Sequence, residues 1–159
     1  MATTISSGTL DVTIIEKLTL DGVRRGSKVV SLDASVGEVA RRTLDVTHAT
    51  NGTEILKFSN TAGIGAGIYD YSTLKYLRIT NLDASVNLVL HLEDSDNSHD
   101  TQLVVGPKKS FILSSAIIDN QADIDNAATD SSPDYIDKIT GLAETGTSAI
   151  KVEYIIFNT

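Results

Sequence analysis

The chain has 159 residues, contains no cysteine or tryptophan, and carries a formal net charge of −8 at pH 7. A chain of this length can bury one core, and the absence of cysteine excludes disulfides and thiolate chemistry. The negative excess lies in residues 51–159, which disfavours general nucleic-acid binding because phosphates repel an acidic surface. No apolar run of 18 residues is present, so the sequence predicts no membrane-spanning helix.

The first part of the chain predicts an N-terminal arm followed by short strands. Residues 1–8 are small and polar, which is typical of an arm, and residues 9–159 are predicted to form a single domain. Residues 24–28 are predicted to form a small basic loop. A first strand with one apolar face and a tight turn after it are indicated by Val12, Ile14, Leu18, Leu20 and Asp21-Gly22.

The pentapeptide Leu-Asp-Ala-Ser-Val occurs twice, at residues 32–36 and 82–86. Aspartate and serine side chains hydrogen-bond to a turning backbone, and the residues that follow the two copies differ. We therefore interpret the two copies as the same turn used twice. Asn51-Gly52 lies between two apolar runs, which predicts a β-hairpin around it.

Residues 74–92 predict the central element of the fold, a hairpin of two strands joined by a polar turn at residues 81–85. Side chains alternate between the two faces of a strand. The buried faces are therefore predicted to carry Leu77 and Ile79 in the first strand and Val86, Leu88, Leu90 and Leu92 in the second.

The second half of the chain adds short strands around residues 103–105 and from residue 111, and acidic loops near residues 93–100 and 119–137. The last strand, residues 149–157, is apolar on both faces in its second half, which predicts a central or interfacial position. About eight to ten short strands with turns between them and almost no helical periodicity predict an all-β, antiparallel sandwich or barrel.

Three short motifs are weak candidates for chemistry. Residues 63–67 are rich in glycine but lack the third glycine and the following helix of a dinucleotide-binding loop. Ser98-His99-Asp100 has the residue types of a catalytic triad, but triad residues converge from separated positions. The cation candidates are Asp94, Asp96 and Asp100, although His99 replaces the glycine that a calcium loop requires. We therefore predict no catalytic residue, no cofactor and no firm metal site.

The basic residues in the first third of the chain are candidates for an interface. We predict that they form one basic face, and that like subunits, or the subunit and a shell beneath it, meet basic face to acidic loop. With two apolar residues of the last strand, the interface candidates are Arg24, Arg25, Lys28, Arg41, Arg42, Ile155 and Phe157.

Residues 76–116, YLRITNLDASVNLVLHLEDSDNSHDTQLVVGPKKSFILSSA, carry a resemblance to a known family. Its three features are the Leu-Arg-Ile-Thr-Asn strand at 77–81, the alternating strand at 86–92, and the segment at 103–113 that contains Pro107-Lys108. The strand at 150–157 also suits the pattern. On these features the chain resembles minor virion proteins of tailed bacteriophages, especially those of marine and cyanobacterial hosts.

The resemblance implies a jelly-roll-like sandwich and a non-enzymatic structural role in the virion. A capsid decoration or cement protein is the first expectation: a homo-oligomer, with a trimer favoured, that is assembled in the host cytoplasm and binds the major capsid protein or another virion protein. A tail, neck or fibre component is an alternative. A small carbohydrate-binding β-domain is a second one, against which the scarcity of aromatic residues counts.

Overall fold

The computed structural model describes residues 3–15, 18–20, 23–25, 29–59, 68–93, 101–114, 136–146 and 148–159. Strands make up nearly all of the secondary structure in these ranges, together with one turn of 3-10 helix at Tyr71–Thr73. The strands are β1 (Thr3–Ile15), β2 (Leu18–Leu20), β3 (Val23–Arg25), β4 (Val29–Val46), β5 (Thr53–Ser59), β6 (Ile68–Asp70), β7 (Leu74–Asn81), β8 (Leu88–Glu93), β9 (Thr101–Val105), β10 (Ser110–Ser114), β11 (Lys138–Ala143) and β12 (Ile150–Asn158).

Ten of these strands form two five-stranded sheets. Sheet 1 has the order β1-β4-β12-β7-β10, and sheet 2 has the order β6-β5-β11-β8-β9. Among the described strands every pairing is antiparallel except that of β5 with β6. The predicted antiparallel all-β sandwich is therefore confirmed.

The strand pairs are nested along the chain. β4 pairs with β12, β5 with β11, β7 with β10, and β8 with β9, so each strand pairs with the one that mirrors it along the chain. Four strands of each sheet take part in these nested pairs, and two four-stranded sheets connected in this way form a jelly roll. The last strand, β12, lies in the centre of sheet 1, as its apolar pattern predicts.

Two predicted hairpins are wrong because their strands lie in different sheets. β7 belongs to sheet 1 and β8 to sheet 2, so residues 82–87 cross between the sheets, and residues 47–52 cross in the same way from β4 to β5. β7 and β8 lie on opposite sides of the core instead of side by side. Their apolar faces are buried in the same core. The predicted inward residues are nevertheless confirmed: Leu77, Ile79, Leu88, Leu90 and Leu92 are buried. Val86, which lies in the crossing, is partly buried and packs against the core.

Asn81 joins the crossing at residues 82–87 to the connection between β9 and β10. Its side-chain amide donates to the carbonyls of Val86 and Val105 at 2.9 and 3.1 Å, and its side-chain oxygen accepts from the Asp83 amide at 3.0 Å. The backbone amide of Asn81 donates to the carbonyl of Lys109 at 3.0 Å. A buried polar side chain with all of these partners holds the end of the sandwich in one arrangement.

The repeated pentapeptide adopts two different structures, so the interpretation of one turn used twice is wrong. Residues 32–36 run within β4 and pair with β1, with Leu32 opposite Val12 and Asp33 opposite Asp11. Residues 82–86 form the crossing after β7, where the Asp83 carboxylate accepts from the backbone amides of Ser85 and Val86, both at 2.8 Å. The sequence is identical, and the neighbouring strand decides between the two conformations.

A two-stranded ribbon extends from sheet 1. β12 pairs with β4 only as far as Glu38, whereas β1 follows β4 onward to Val29. β2 and β3 then pair with each other, with Leu20 opposite Val23, and the predicted tight turn at Asp21-Gly22 lies outside the described residues. We call the described residues between Gly8 and Val36 the ribbon. Residues 24 and 25 belong to β3 rather than to the predicted basic loop, and residues 3–8 belong to β1 rather than to an arm.

The ribbon leaves the sheet at an irregularity in the β1–β4 ladder. The register shifts between Thr4 and Gly8, and Gly37 lies opposite this stretch on β4. A β-carbon on Gly37 would stand 3.2 Å from the backbone carbonyl carbon of Thr159. The chain therefore passes close to its own C-terminal residue at the point where the ribbon begins, and only glycine fits there without displacement of its neighbour.

Candidate interaction surface

The outer face of sheet 1 is the surface of the molecule with the most distinctive side chains. Strand alternation places odd-numbered residues of β4 and β12, and even-numbered residues of β7 and β10, on the side away from the core. The register aligns one row across the sheet, from Arg41 to Ile155, Arg78 and Ile112. We call the face that contains this row, together with Glu153, Tyr76 and Phe157, the outer face.

Glu153 is the electrostatic centre of the outer face. It is 8% exposed, and its carboxylate accepts a hydrogen bond from Arg41 Nε at 2.7 Å and a second from Arg78 Nη2 at 3.3 Å. The Arg41 side chain remains 69% exposed while it holds Glu153. Two guanidinium groups thus share one carboxylate, which leaves the network one positive charge in excess and presents that charge outward.

An apolar cluster adjoins this network. The rings of Tyr76 and Phe157 are 5.9 Å apart in an edge-to-face arrangement, which is a favourable geometry for aromatic pairs. Leu10 and Val12 from the base of the ribbon pack against the two rings. This cluster lies outside the main core, so the outer face carries a second apolar layer.

The combination of exposed arginine with partly buried aromatic and aliphatic side chains is typical of protein–protein interfaces. Ile155 and Phe157 are half-buried, and Ile112 at the edge of the sheet is 43% exposed. A partner that covered this face would remove apolar surface from water and would meet arginine donors already oriented by Glu153.

The structure brings three of the predicted interface residues together and separates the others. Arg41, Ile155 and Phe157 share the outer face. Arg42 has the opposite parity on β4; burial raises the pKa of Tyr69 in sheet 2, and the nearby charge of Arg42 opposes that rise. Arg24 and Arg25 lie in β3.

The predicted single basic face is therefore not formed by the described residues. Lys28 lies outside them, as do Asp94, Asp96 and Asp100 and, from residues 119–137, all but Ile136 and Asp137. The glycine-rich residues 63–67 and Ser98-His99 lie outside them as well.

Sequence reasoning missed the residues that organise the outer face, namely Glu153, Arg78 and Tyr76. All three were visible as the polar or large members of alternating strands. The missing information was that β7 and β12 are neighbours, because that pairing joins positions 75 residues apart in the chain.

A second feature is a pocket of about 360 Å³ on the outer side of sheet 2. In its wall, Glu93 forms an ion pair with Lys138 at 2.7 Å and accepts a hydrogen bond from the Thr140 hydroxyl. Burial acts to raise the pKa of Glu93, but the hydrogen bonds and the charge of Lys138 outweigh it, so the pKa is lowered. The remaining lining comes from Thr50, Asn51, Gly52, His91 and Leu142.

The described residues around Glu93 do not form a general-acid site. Glu93 is held ionised by its partners, which is the opposite of what a general acid requires. Within the described ranges no three His, Cys, Asp or Glu residues are grouped closely enough to hold a metal ion. No helix in the same ranges is long and apolar enough to cross a membrane.

Comparison of the chain with models of protein families, with curated proteins and with solved structures finds no match in any of the three. The functional interpretation therefore depends on the geometry of the molecule and on the resemblance carried by residues 76–116.

Proposed function

We propose that the chain is a non-enzymatic structural protein of a tailed-bacteriophage virion, a decoration or cement protein that self-associates and binds the head shell. The observation that carries the proposal is the outer face of sheet 1, where Arg41 and Arg78 flank Glu153 beside the Tyr76–Phe157 pair. A protein that works by covering its neighbours needs such a surface and needs no reactive group.

The jelly-roll fold is compatible with the proposal, because viral capsid domains use this architecture. Lectin domains and cupins use it as well, so the fold is compatible with other functions. The resemblance of residues 76–116 to minor virion proteins favours the virion among these.

A binding experiment tests the proposal. The purified chain is mixed with empty heads of the phage that encodes it, and bound protein is measured by co-sedimentation. We expect saturable binding, a higher temperature of head disruption, and loss of both effects in Ile155→Glu, which places a charge in the outer face. Ser148→Glu adds the same charge at an exposed site in the connection between β11 and β12, and it is the matched control.

The position of the protein in the virion separates the two structural roles. Immunogold labelling spread over the whole head supports a decoration protein, whereas labelling confined to the neck, tail or fibres supports the alternative. Absence of the protein from purified virions, with no binding to heads, would overturn the proposal.

One observation favours a carbohydrate-binding domain as a second candidate. The pocket beside Glu93 is polar, and Lys138 and Thr140 contribute oriented hydrogen-bonding groups to its wall. Sugar hydroxyls require oriented hydrogen-bonding groups of this kind, although the described residues that line the pocket include no aromatic ring. Binding to a glycan array that is lost in Glu93→Gln would support this candidate.

A further inference from the structure

We propose that the edge strand β10 pairs with β10 of a second copy of this chain, antiparallel and about a two-fold axis at Ile112. The proposal rests on the proposed function for the premise that the chain self-associates, and it names the contact. Pairing of this kind joins sheet 1 of one copy to sheet 1 of the other in a continuous sheet. The resulting unit is a symmetric dimer, in place of the trimer that the resemblance favours.

β10 is an edge strand without the features that usually prevent pairing. It is the last strand of sheet 1, and among the described residues it pairs only with β7. Proteins commonly protect such edges with charged residues, proline or bulges. β10 has the sequence Ser-Phe-Ile-Leu-Ser, and its register with β7 runs from Ser110 to Ser114 without a shift. We call the side of β10 away from β7 the open edge.

Two other edge strands of the sandwich are less suited to pairing. β1, at the opposite side of sheet 1, has a register shift between Thr4 and Gly8. β6, at one side of sheet 2, has only three residues and ends in Asp70. Short strands and irregular ladders disfavour the addition of a further strand. β10 is therefore a better pairing strand than either of them.

The ladder between β7 and β10 shows which backbone groups of β10 face the open edge. The amide of Asn81 donates to the carbonyl of Lys109 at 3.0 Å, so these two residues form a hydrogen-bonded pair where the register continues beyond β10. Hydrogen-bonded and non-hydrogen-bonded pairs alternate along an antiparallel ladder. The hydroxyls of Thr80 and Ser110 are 2.9 Å apart, as the closer side chains of a non-hydrogen-bonded pair allow. The even-numbered residues of β10, with Ile112 at the centre, therefore direct their backbone groups to the open edge.

This parity makes β10 complementary to itself. In a two-fold antiparallel pair centred on Ile112, this residue lies opposite Ile112 of the second copy, and Ser110 lies opposite Ser114. Each of these pairs joins residues whose backbone groups face the contact, so each pair can exchange two hydrogen bonds. A slip of one residue would instead oppose them to residues whose backbone groups point to β7.

The side chains fit the same register. Ile112 is 43% exposed on the outer face, which places it among the exposed large apolar residues of the described part of the chain. In the proposed pair the two Ile112 side chains are neighbours on the outer face, and each covers the other. Phe111, which is half-buried and packs against the core, lies opposite Leu113 of the second copy. The row of the outer face that ends at Ile112 thus continues into the same row of the second copy.

The charges near β10 favour antiparallel over parallel pairing. The strand contains no charged residue, and the nearest charges in the sequence are Lys108 and Lys109, both of which precede it. In a parallel pair the lysines of the two copies would lie side by side, and like charges at opposite strand positions repel. In the antiparallel pair the two Lys109 residues lie at opposite ends of the contact, roughly 20 Å apart at 3.4 Å per residue. The proposed pairing therefore brings no like charges together at the strands.

Disulfide mapping tests the register, because the chain contains no cysteine. In the proposed pair the two Ile112 α-carbons lie about 5.5 Å apart, which is within the range that a disulfide spans. Ser110→Cys is the matched control: it is exposed in the same strand, but its two copies would lie roughly 14 Å apart. Under mild oxidation we expect Ile112→Cys to give a disulfide-linked dimer and Ser110→Cys to remain unlinked. Any other pattern would overturn the proposal.

A proline substitution tests the backbone hydrogen bonds. Ile112→Pro removes an N–H group that faces the open edge and takes no part in the ladder with β7, and proline is tolerated at such positions of edge strands. By light scattering the unchanged chain should have twice the 17.0 kDa mass of one chain, as should Ile112→Val, which keeps the N–H group. Ile112→Pro should have the mass of one chain and an unchanged circular dichroism spectrum.

A monomeric or trimeric unchanged chain, or a folded Ile112→Pro chain that remains dimeric, would overturn the inference. If Ile112→Pro does not fold, the cross-linking pattern decides. A register-specific dimer that is absent from virions and does not bind heads would overturn the proposed function and leave this inference standing. A monomer that binds heads would overturn this inference and leave head binding standing.

Discussion

The side-chain amide of Asn81 donates to the backbone carbonyl of Val105 at 3.1 Å, which joins the end of β7 in sheet 1 to the end of β9 in sheet 2. Asn81 is fully buried, and the same amide group also donates to Val86 at the far end of its own crossing. A single side chain thus hydrogen-bonds both to the crossing that follows β7 and to the end of β9.

We expect Asn81→Ala to lower the free energy of unfolding by about 2–4 kcal/mol, because it leaves several buried backbone groups without partners. Urea denaturation followed by circular dichroism measures the change. Asn87→Ala is the control: its amide donates to Glu144 in an exposed bond, so its loss should stay within about 0.5 kcal/mol. Equal losses in the two variants would contradict the role assigned to Asn81.

A side chain at Gly141 on β11 would have to displace its core neighbours. A β-carbon there would lie 2.7 Å from Ile55 Cδ1 and 3.2 Å from Leu88 Cδ1 inside the core. We expect Gly141→Ala to destabilise the fold by about 1–3 kcal/mol through overpacking. Ile55→Val removes the closest methyl group, so the double variant should lose less than the sum of the two single changes. The free energies of unfolding are measured by urea denaturation. If the losses of the two single variants simply add in the double variant, the clash with Ile55 is relieved at another residue.

The Arg41–Glu153–Arg78 network should contribute to stability as well as to binding. Glu153→Gln leaves two arginines side by side without a carboxylate between them, and we expect a loss of about 2 kcal/mol. Asp45→Asn is the comparison: Asp45 pairs with Lys151 where both side chains are more than 60% exposed, and such pairs contribute about 0–1 kcal/mol. A Glu153→Gln chain as stable as Asp45→Asn would mean that the network does not stabilise the fold.

The pH dependence of stability should contain a contribution from Glu93. Its pKa in the folded chain lies below the ordinary value of 4.5, so folding favours the ionised form. That stabilisation is complete above the unfolded pKa and is lost as the pH falls through the folded pKa. The stability difference between the unchanged chain and Glu93→Gln should therefore be constant near pH 7 and should narrow below about pH 4.5. A constant difference down to pH 3 would contradict this prediction.

The two copies of the pentapeptide should respond differently to the same substitution. Asp83 accepts hydrogen bonds from the Ser85 and Val86 amides, so Asp83→Ala should lower the melting temperature. Asp33 is the register partner of Asp11, and like charges at directly opposite strand positions are destabilising, so Asp33→Ala should leave the melting temperature unchanged or raise it. Differential scanning fluorimetry measures both, and equal decreases would contradict the difference between the two sites.

The candidate surface was only partly visible in the sequence. Arg41, Ile155 and Phe157 were identified as interface residues, but Arg42 was grouped with them although it has the opposite parity on β4. Glu153, which holds Arg41 and Arg78, was missed because its partners are 112 and 75 residues away in the chain. An interaction over such a separation has no local pattern that would reveal it.

The sequence by itself determined the β-class and the inward residues of each strand, including Leu77, Ile79 and Leu88, because alternation with period two is a property of the local chain. Only the tertiary structure decided which strands are neighbours. It placed β7 and β8 in opposite sheets and gave one pentapeptide the form of a strand at 32–36 and of a turn at 82–86. Strand pairing is selected by hydrogen bonds and apolar burial between distant segments, and five residues do not specify the partner that they will meet.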